Sequence, residues 1–266
     1  MKQIAWITDI HLNFLSQDEV TMFLGQLDQC GSDAILIGGD IGEAQDVVGF
    51  LGQIETRLQR PIFFVLGNHD FYGGSISGVR SAVRELCENS DYLSWLPDAG
   101  VVEVEADTAV VGHDGWADGW FGDYQNSPVM LNDYILIEDF KGLDKDSRLQ
   151  RMRSLGEEAS HHFRKVLPAA LHQYQQVFLL THVPPFREAS WHEGGISDDD
   201  WIPHFTCKAV GEVLVEIMKA HPNRELTVLC GHTHGEGEAQ ILENLRVLTG
   251  GAKYGVPAIQ QVFDMG

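Results

Sequence analysis

Short apolar runs alternate with longer amphipathic stretches along this chain. Runs at Ile4–Ile7, Ala34–Ile37, Pro61–Leu66, Val101–Val104, Ala109–Val111, Val177–Leu180, Leu226–Leu229, Arg246–Leu248 and Ile259–Phe263 predict strands. Helices are predicted over about 17–30, 44–59, 76–89, 147–173 and 206–220. In the third, Val79, Val83 and Leu86 recur at three- and four-residue steps. The last carries Val210, Val213, Leu214 and Ile217 on one face and stops ahead of Pro222. Strands that alternate with helices predict sheets covered by helices, and the strands crowded late in the chain point to mixed sheets. Two segments break the alternation, at about 113–145 and 183–205. Both are rich in Gly, Asp and aromatic residues with weak periodicity, so they are expected to be long functional loops or insertions.

The ends of the predicted strands carry the chemistry. After Ile4–Ile7 come Asp9 and His11, and after Ala34–Ile37 comes "GGD" with Asp40. After Pro61–Leu66 comes "GNHD", in which Asn68, His69 and Asp70 follow the apolar run with no polar turn between. His182 follows Val177–Leu180, and "GHTHG" with His232 and His234 follows Leu226–Leu229. The carboxyl ends of strands are the edge where α/β sheets bind ligands. In extended chain, residues i and i+2 point the same way, which pairs Asp9 with His11 and His232 with His234. Asp9, His11, Asp40, Asn68, His182, His232 and His234 are all nitrogen or oxygen donors, without a thiolate. They are too many for one cation and suit two transition-metal ions that share a carboxylate, with Mn, Fe, Zn or Co fitting better than calcium. Two metals about 3.5–4 Å apart clamp the attacking and leaving oxygens of a phosphoryl displacement.

Composition narrows the partners. The chain has 266 residues, 44% of them hydrophobic, enough for one large α/β domain or at most two. With 39 Asp plus Glu against 18 Lys plus Arg, the formal net charge is −21. Such a surface repels polyanions, which disfavours extended nucleic-acid or anionic-membrane binding but not a small phosphorylated substrate. No stretch approaches the roughly 20 apolar residues of a membrane span. The N-terminus lacks a signal-peptide pattern, and Cys30, Cys87, Cys207 and Cys230 are scattered with no Cys-x-x-Cys pair. Both features predict a cytoplasmic protein with reduced thiols.

The ordered series D-x-H (Asp9, His11), G-D (Gly39, Asp40), G-N-H-D (Gly67 to Asp70), a lone His (His182) and G-H-x-H (Gly231 to His234) resembles the calcineurin-like metallophosphoesterases. The resemblance implies a four-layer α/β/β/α sandwich of two mixed sheets. It implies one metallophosphoesterase domain over 1–266, with 113–145 and 183–205 as inserted loop or cap segments. Carried over position by position, Asp9, His11, Asp40 and His234 would hold one metal. Asp40, Asn68, His182 and His232 would hold the other, with Asp40 bridging. His69 would stay off the metals, orient the phosphate and protonate the leaving oxygen. The activity implied is hydrolysis of a phosphodiester or small phosphomonoester by metal-bound hydroxide. The second block reads Gly39, Asp40, Ile41, Gly42, Glu43 and lacks the Asp-Arg-Gly of the Ser/Thr protein phosphatases. The pattern is nearer to bacterial-type phosphodiesterases and small-molecule phosphohydrolases.

Two rivals remain at this point. A nuclease using the same site would need a basic track, and a non-catalytic scaffold would show missing ligands. Among residues outside the blocks, His113 and Asp114 follow a strand and are candidates to approach the site, while His161, His162, His172, His192, His204 and His221 read as structural. Asp70 reads equally as a partner of a ligand or as a backbone clamp. The run Asp198–Asp200 reads as a capping loop, and Arg187 is the nearest cationic candidate for a substrate contact. Trp116, Trp120, Trp191 and Trp201 either pack the irregular segments onto the body or wall a pocket above the metals.

Overall fold

The computed structural model describes residues 1–265. In chain order, its strands open with β1 (Gln3–Ile7), β2 (Ala34–Ile37), β3 (Ile62–Phe64), β4 (Leu93–Trp95), β5 (Val102–Glu105), β6 (Thr108–His113) and β7 (Gln176–Thr181). A short hairpin, β8 (Trp191–His192) and β9 (Gly195–Ile196), precedes β10 (Glu225–Cys230), β11 (Gly237–Leu242), β12 (Leu245–Thr249) and β13 (Gln261–Asp264). The helices are α1 (Gln17–Gln29), α2 (Val47–Leu58), α3 (Ile76–Glu88), α4 (Leu96–Ala99), α5 (Asp133–Leu136), α6 (Lys145–Gln173), α7 (Ile202–Phe205) and α8 (Lys208–Ala220).

Two large sheets result, ordered β13-β1-β2-β3-β4 and β11-β12-β10-β7-β6-β5. Within each, the central strands are parallel, and the antiparallel partners are β13, β5 and β11 at the edges. Both sheets are therefore mixed.

Alternation along the strands sets the layers. Ile4, Trp6, Ala34, Leu36, Phe63 and Val65 of the first sheet meet Val110, Phe178, Leu180 and Leu229 of the second in one apolar layer. Their neighbours in sequence point the other way. Ala5, Ile7, Ile35, Ile37 and Phe64 pack with Leu24, Leu27, Leu51, Ile54 and Val83 from α1 to α3. Val111, Val177, Leu179 and Val228 pack with Phe163, Leu167 and Leu214 from α6 and α8 in the same cluster. Because both faces of each sheet are buried, a one-residue slip would move every side chain into the wrong layer, and that fixes the register.

The predicted helices form with end shifts of up to three residues, and α1 is closed by a capping box between Ser16 and Glu19. Strands β4 and β11 and the hairpin β8–β9 were not expected. The run predicted at Ile259–Phe263 pairs only from Gln261, and the one at Pro61–Leu66 only over Ile62–Phe64. Among the described residues, no helix is long and apolar enough to cross a membrane.

Candidate active site

The carboxyl ends of β1, β2, β3, β7 and β10 converge on one edge, and the loops that leave them bring the seven expected donors together. Asp9 and His11 do not share a direction because the chain is extended, as their spacing suggested. Both lie in the left-handed region (φ 51° and 41°), as do Asp40 (53°), His232 (70°) and His234 (60°). Asp and His tolerate that region better than most residues, but so many left-handed residues in one site still hold strain, of order 1–3 kcal/mol each. Neighbouring loops hold them there. The Asp9 and His11 amides donate to the carbonyls of Gly39 and Asp40 at 3.0 and 2.9 Å. The His232 amide donates to Asp9 Oδ1 and the His69 amide to Asp40 Oδ1, both at 2.9 Å.

Two glycines make the crowding possible. A Cβ on Gly67 would collide with the Asp40 carboxylate and the His182 ring, and one on Gly231 with the Asp9 carboxylate. Asp70 settles as a backbone clamp. Its buried carboxylate accepts from the amides of Ile41, Gly42 and Gly67 at 2.8–2.9 Å, tying the loop after β2 to the loop after β3. Burial pushes its pKa up to about 7 against those three donors.

The donors fall into two adjoining groups. Asp9, His11, Asp40 and His234 each offer one ligand atom, all within 4.8 Å of one another, and could hold a metal ion. His11 Nε2 and His234 Nε2 face each other at 3.2 Å. In the second group, Asn68 Oδ1 lies 2.9 Å from both His182 Nε2 and His232 Nδ1. Asp40 stands between the groups, with Oδ2 3.7 Å from His11 Nε2 and Oδ1 3.4 Å from His182 Nε2.

The chemistry of this set fits metal ions. Burial holds His11 and His232 down to about 3 and lowers His182 as well, which keeps the imidazoles neutral, the form that ligates. Asp40 is pushed up, first by burial and next by the Asp9 carboxylate beside it. Among the described residues, the ion-pair partners of Asp9 and Asp40 are histidines only, so a cation would relieve the buried charge.

His69 lies beside the two groups, its ring stacked on Tyr72 at 4.3 Å and edge-on to His11 at 4.6 Å. Burial and the neighbouring imidazoles of His11 and His182 lower its pKa to about 3. A pocket of about 270 Å³ opens over the site. Its wall includes His69, Tyr72, Asn132, Asp133, Phe205 and Tyr254, and among the described residues no lysine or arginine lines it.

The irregular segments supply much of that wall, but not through their tryptophans. Trp116 is buried and stacks on Phe140 at 5.3 Å, and Trp120 lies 3.6 Å from the Arg153 guanidinium. Trp201 stacks on Phe205 behind the wall, and Trp191 belongs to the β8–β9 hairpin. None of the four is among the residues that line this pocket, which favours the packing reading. Asp114 stays behind the site, where it accepts from the Leu66 amide and Trp95 Nε1 at 2.9 and 3.0 Å. His113 faces Glu158 instead. Asp198 caps a turn by accepting from the Asp200 and Trp201 amides, and Arg187 is paired with Asp199 at 2.7 Å, away from the pocket.

Sequence reasoning missed several pocket residues, among them Tyr72, Asp133, His192 and Tyr254. Asp133 is buried and accepts from Asn68 Nδ2 at 2.8 Å and from the Tyr72 hydroxyl at 2.7 Å, which turns Asn68 Oδ1 toward the histidines. His192, read as structural, also lines the pocket. Tyr254 follows β12 and so obeys the strand-end rule that found the other residues. Asp133 and Tyr72 carried no such signal.

Two mixed sheets flanked by helices, with a histidine–carboxylate cluster at their shared edge, define a phosphoester hydrolase of the metal-dependent kind. The sequence model of the calcineurin-like phosphoesterases matches residues 2–236, and the chain belongs to that family. No functionally curated protein matches it. Among solved structures it is similar to the phosphopantetheinyl hydrolase PptH of Mycobacterium tuberculosis (TM-score 0.63, 14% identity, 94% of this chain and 89% of that one). It is similar to a dimetal phosphatase from Danio rerio (0.57, 15%, 93% and 86%). It is also similar to TT1561 of Thermus thermophilus (0.55, 14%, 94% and 89%). At these identities the likeness is one of fold.

Proposed function

We propose that this enzyme hydrolyses a small phosphate ester, monoester or diester, with two transition-metal ions at the strand-end cluster. Asp9, His11, Asp40 and His234 hold one ion and Asp40, Asn68, His182 and His232 the other, with Mn, Fe and Zn suited to the donor set. The observation that carries this reading is the Asp40 carboxylate, one oxygen turned to His11 and the other to His182. When bound, the ions supply Lewis acidity toward the phosphoryl group and an acidified water.

The chain's own groups do the rest. Asp70 and the inter-loop amide bonds hold the ligand loops rigid, so little reorganisation accompanies reaction. His69 presents a neutral imidazole to the pocket and orients the ester by hydrogen bonding. To help the alcohol leave, His69 would have to carry a proton, which the negative charge of the phosphate favours and bound cations oppose. That no lysine or arginine lines the pocket among the described residues argues for a small substrate and against a nucleic-acid track.

The test is metal analysis and hydrolysis of matched aryl phosphate monoester and diester by manganese-loaded protein, with Asp40→Asn beside it. The reading expects two equivalents of metal and turnover of one ester or both, with metal and activity lost together in the variant. Full metal and full activity in Asp40→Asn would overturn it.

A further inference from the structure

The loop after β12 is braced to the site at several points. The Ala252 amide donates to the carbonyl of His234 at 3.1 Å. Gly251 and Gln260 exchange two hydrogen bonds at 3.0 and 2.9 Å, which close the loop at its base. This bracing sets Tyr254 at the mouth of the pocket. Its ring lies 4.7 Å from Phe14, 4.6 Å from His11 and 5.0 Å from His234, and its hydroxyl is 3.4 Å from His69 Nε2.

Tyr254 and Phe14 remain 46% and 52% exposed, so they form an open aromatic shelf beside the cluster instead of a packed core contact. The His69 edge of the shelf is where the alcohol half of an ester must leave if His69 assists its departure. An alcohol half bearing another anionic group would find, among the described residues, no lysine or arginine on the pocket wall, within a chain of net charge −21.

We infer that the enzyme selects a phosphate ester whose organic part has an apolar face and no further anionic group, held on the Tyr254–Phe14 shelf with the Tyr254 hydroxyl beside His69 at the ester oxygen. This specificity rests on the phosphoesterase reading above, and the experiment separates the two.

Calorimetry of the full-length, manganese-loaded protein would measure binding of phenylphosphonate, methylphosphonate and 4-carboxyphenylphosphonate, none of which is hydrolysed. The shelf predicts that phenylphosphonate binds about tenfold tighter than methylphosphonate, as expected for aromatic contact plus buried area. The added carboxylate should remove that gain. Tyr254→Ala should lower the phenyl preference to about threefold or less, the share left to Phe14, by weakening phenylphosphonate more than methylphosphonate. Tyr254→Phe should keep the preference.

Equal binding of the phenyl and methyl ligands by the unaltered protein would overturn the inference. So would an undiminished preference in Tyr254→Ala, a parallel loss for both ligands, or tight binding of the carboxylated ligand. Hydrolysis of phenyl phosphate is read separately. If it is absent while the phenyl preference holds, the hydrolase reading falls and the shelf stands.

Discussion

Replacing Asp133 by asparagine tests whether a residue from the irregular segment sets the second group of donors. In the unaltered protein the Asp133 carboxylate accepts from Asn68 Nδ2 and the Tyr72 hydroxyl, while Asn68 Oδ1 faces His182 and His232 at 2.9 Å. If the Asn68 amide flipped, its oxygen would sit against a carboxylate oxygen, so one orientation is enforced. The side-chain amide of the variant could face Asn68 with either its oxygen or its nitrogen, and that enforcement would be lost. A hydrogen bond to a charged group is worth about 1.5–3 kcal/mol net. Substituting a residue that orients a metal ligand typically weakens the metal by about 10–100-fold, or about 1.4–2.7 kcal/mol. The two scales agree.

The assay is a manganese titration by calorimetry, with thermal unfolding as a control. One equivalent should bind as in the unaltered protein, through Asp9, His11, Asp40 and His234. The second should weaken by about tenfold or more. Stability should fall by only about 1 kcal/mol, because the introduced amide still offers one acceptor oxygen. Two equivalents bound at the original affinity would refute the orienting role. Equal weakening of both would refute the assignment of Asn68 to one group only.

Other outcomes follow from the same geometry. His69→Ala should lower the rate of ester hydrolysis by about 10²–10⁴-fold with both metals retained, and loss of metal on elemental analysis would remove His69 from that role. Gly67→Ala should abolish metal binding, because its Cβ would overlap the Asp40 carboxylate and the His182 ring; a metal-replete variant would show that the loops yield more than the inter-loop bonds suggest. His204, buried between Tyr134 and Ser127, has its pKa lowered by burial to about 4, below the 6.5 of an unfolded histidine. The unfolded chain thus binds more protons, and stability should fall as pH drops from about 6.5 toward 4, at up to about 1.4 kcal/mol per pH unit for this group. Denaturant unfolding at pH 7 and pH 5 should show a smaller difference in His204→Gln than in the unaltered protein.

The layered fold was legible because the central strands are buried on both faces and read as continuous apolar runs, such as Ile4–Ile7 and Ala34–Ile37. Strand β4 was missed because three residues, Leu93–Trp95, end in the proline-bearing turn of α4. Strand β11, "GEAQIL", has no period of its own and forms only because β12 offers it an edge. The convergence of the seven expected donors on one edge was legible because each closely follows a strand. The reason offered for the Asp9–His11 pairing was wrong, because left-handed backbone and not extended chain aims those side chains. The two readings of the tryptophans part for a different cause. Tryptophans in an irregular segment have the largest apolar surface to bury, so they turned to the core or to an arginine and left the mouth to Tyr254 and Phe205.

The two parts of the site carry different physical demands, and they come from different parts of the chain. The donor cluster needs fixed, partly strained backbone, so it lies where five strands end and four of their loops bind one another through Asp70 and the amides of Asp9, His11 and His232. Strain there is tolerable because the sheets beneath are packed on both faces. The pocket wall needs only shape and polarity, and residues such as Asp133, Phe205 and Tyr254 come from two short helices and a loop, outside the strands. Asp133 is where the two meet, since its carboxylate belongs to the wall and its hydrogen bond to Asn68 belongs to the cluster. A change in the wall at that position should therefore register first in metal affinity, whereas a change at Tyr254 should register first in the choice of ester.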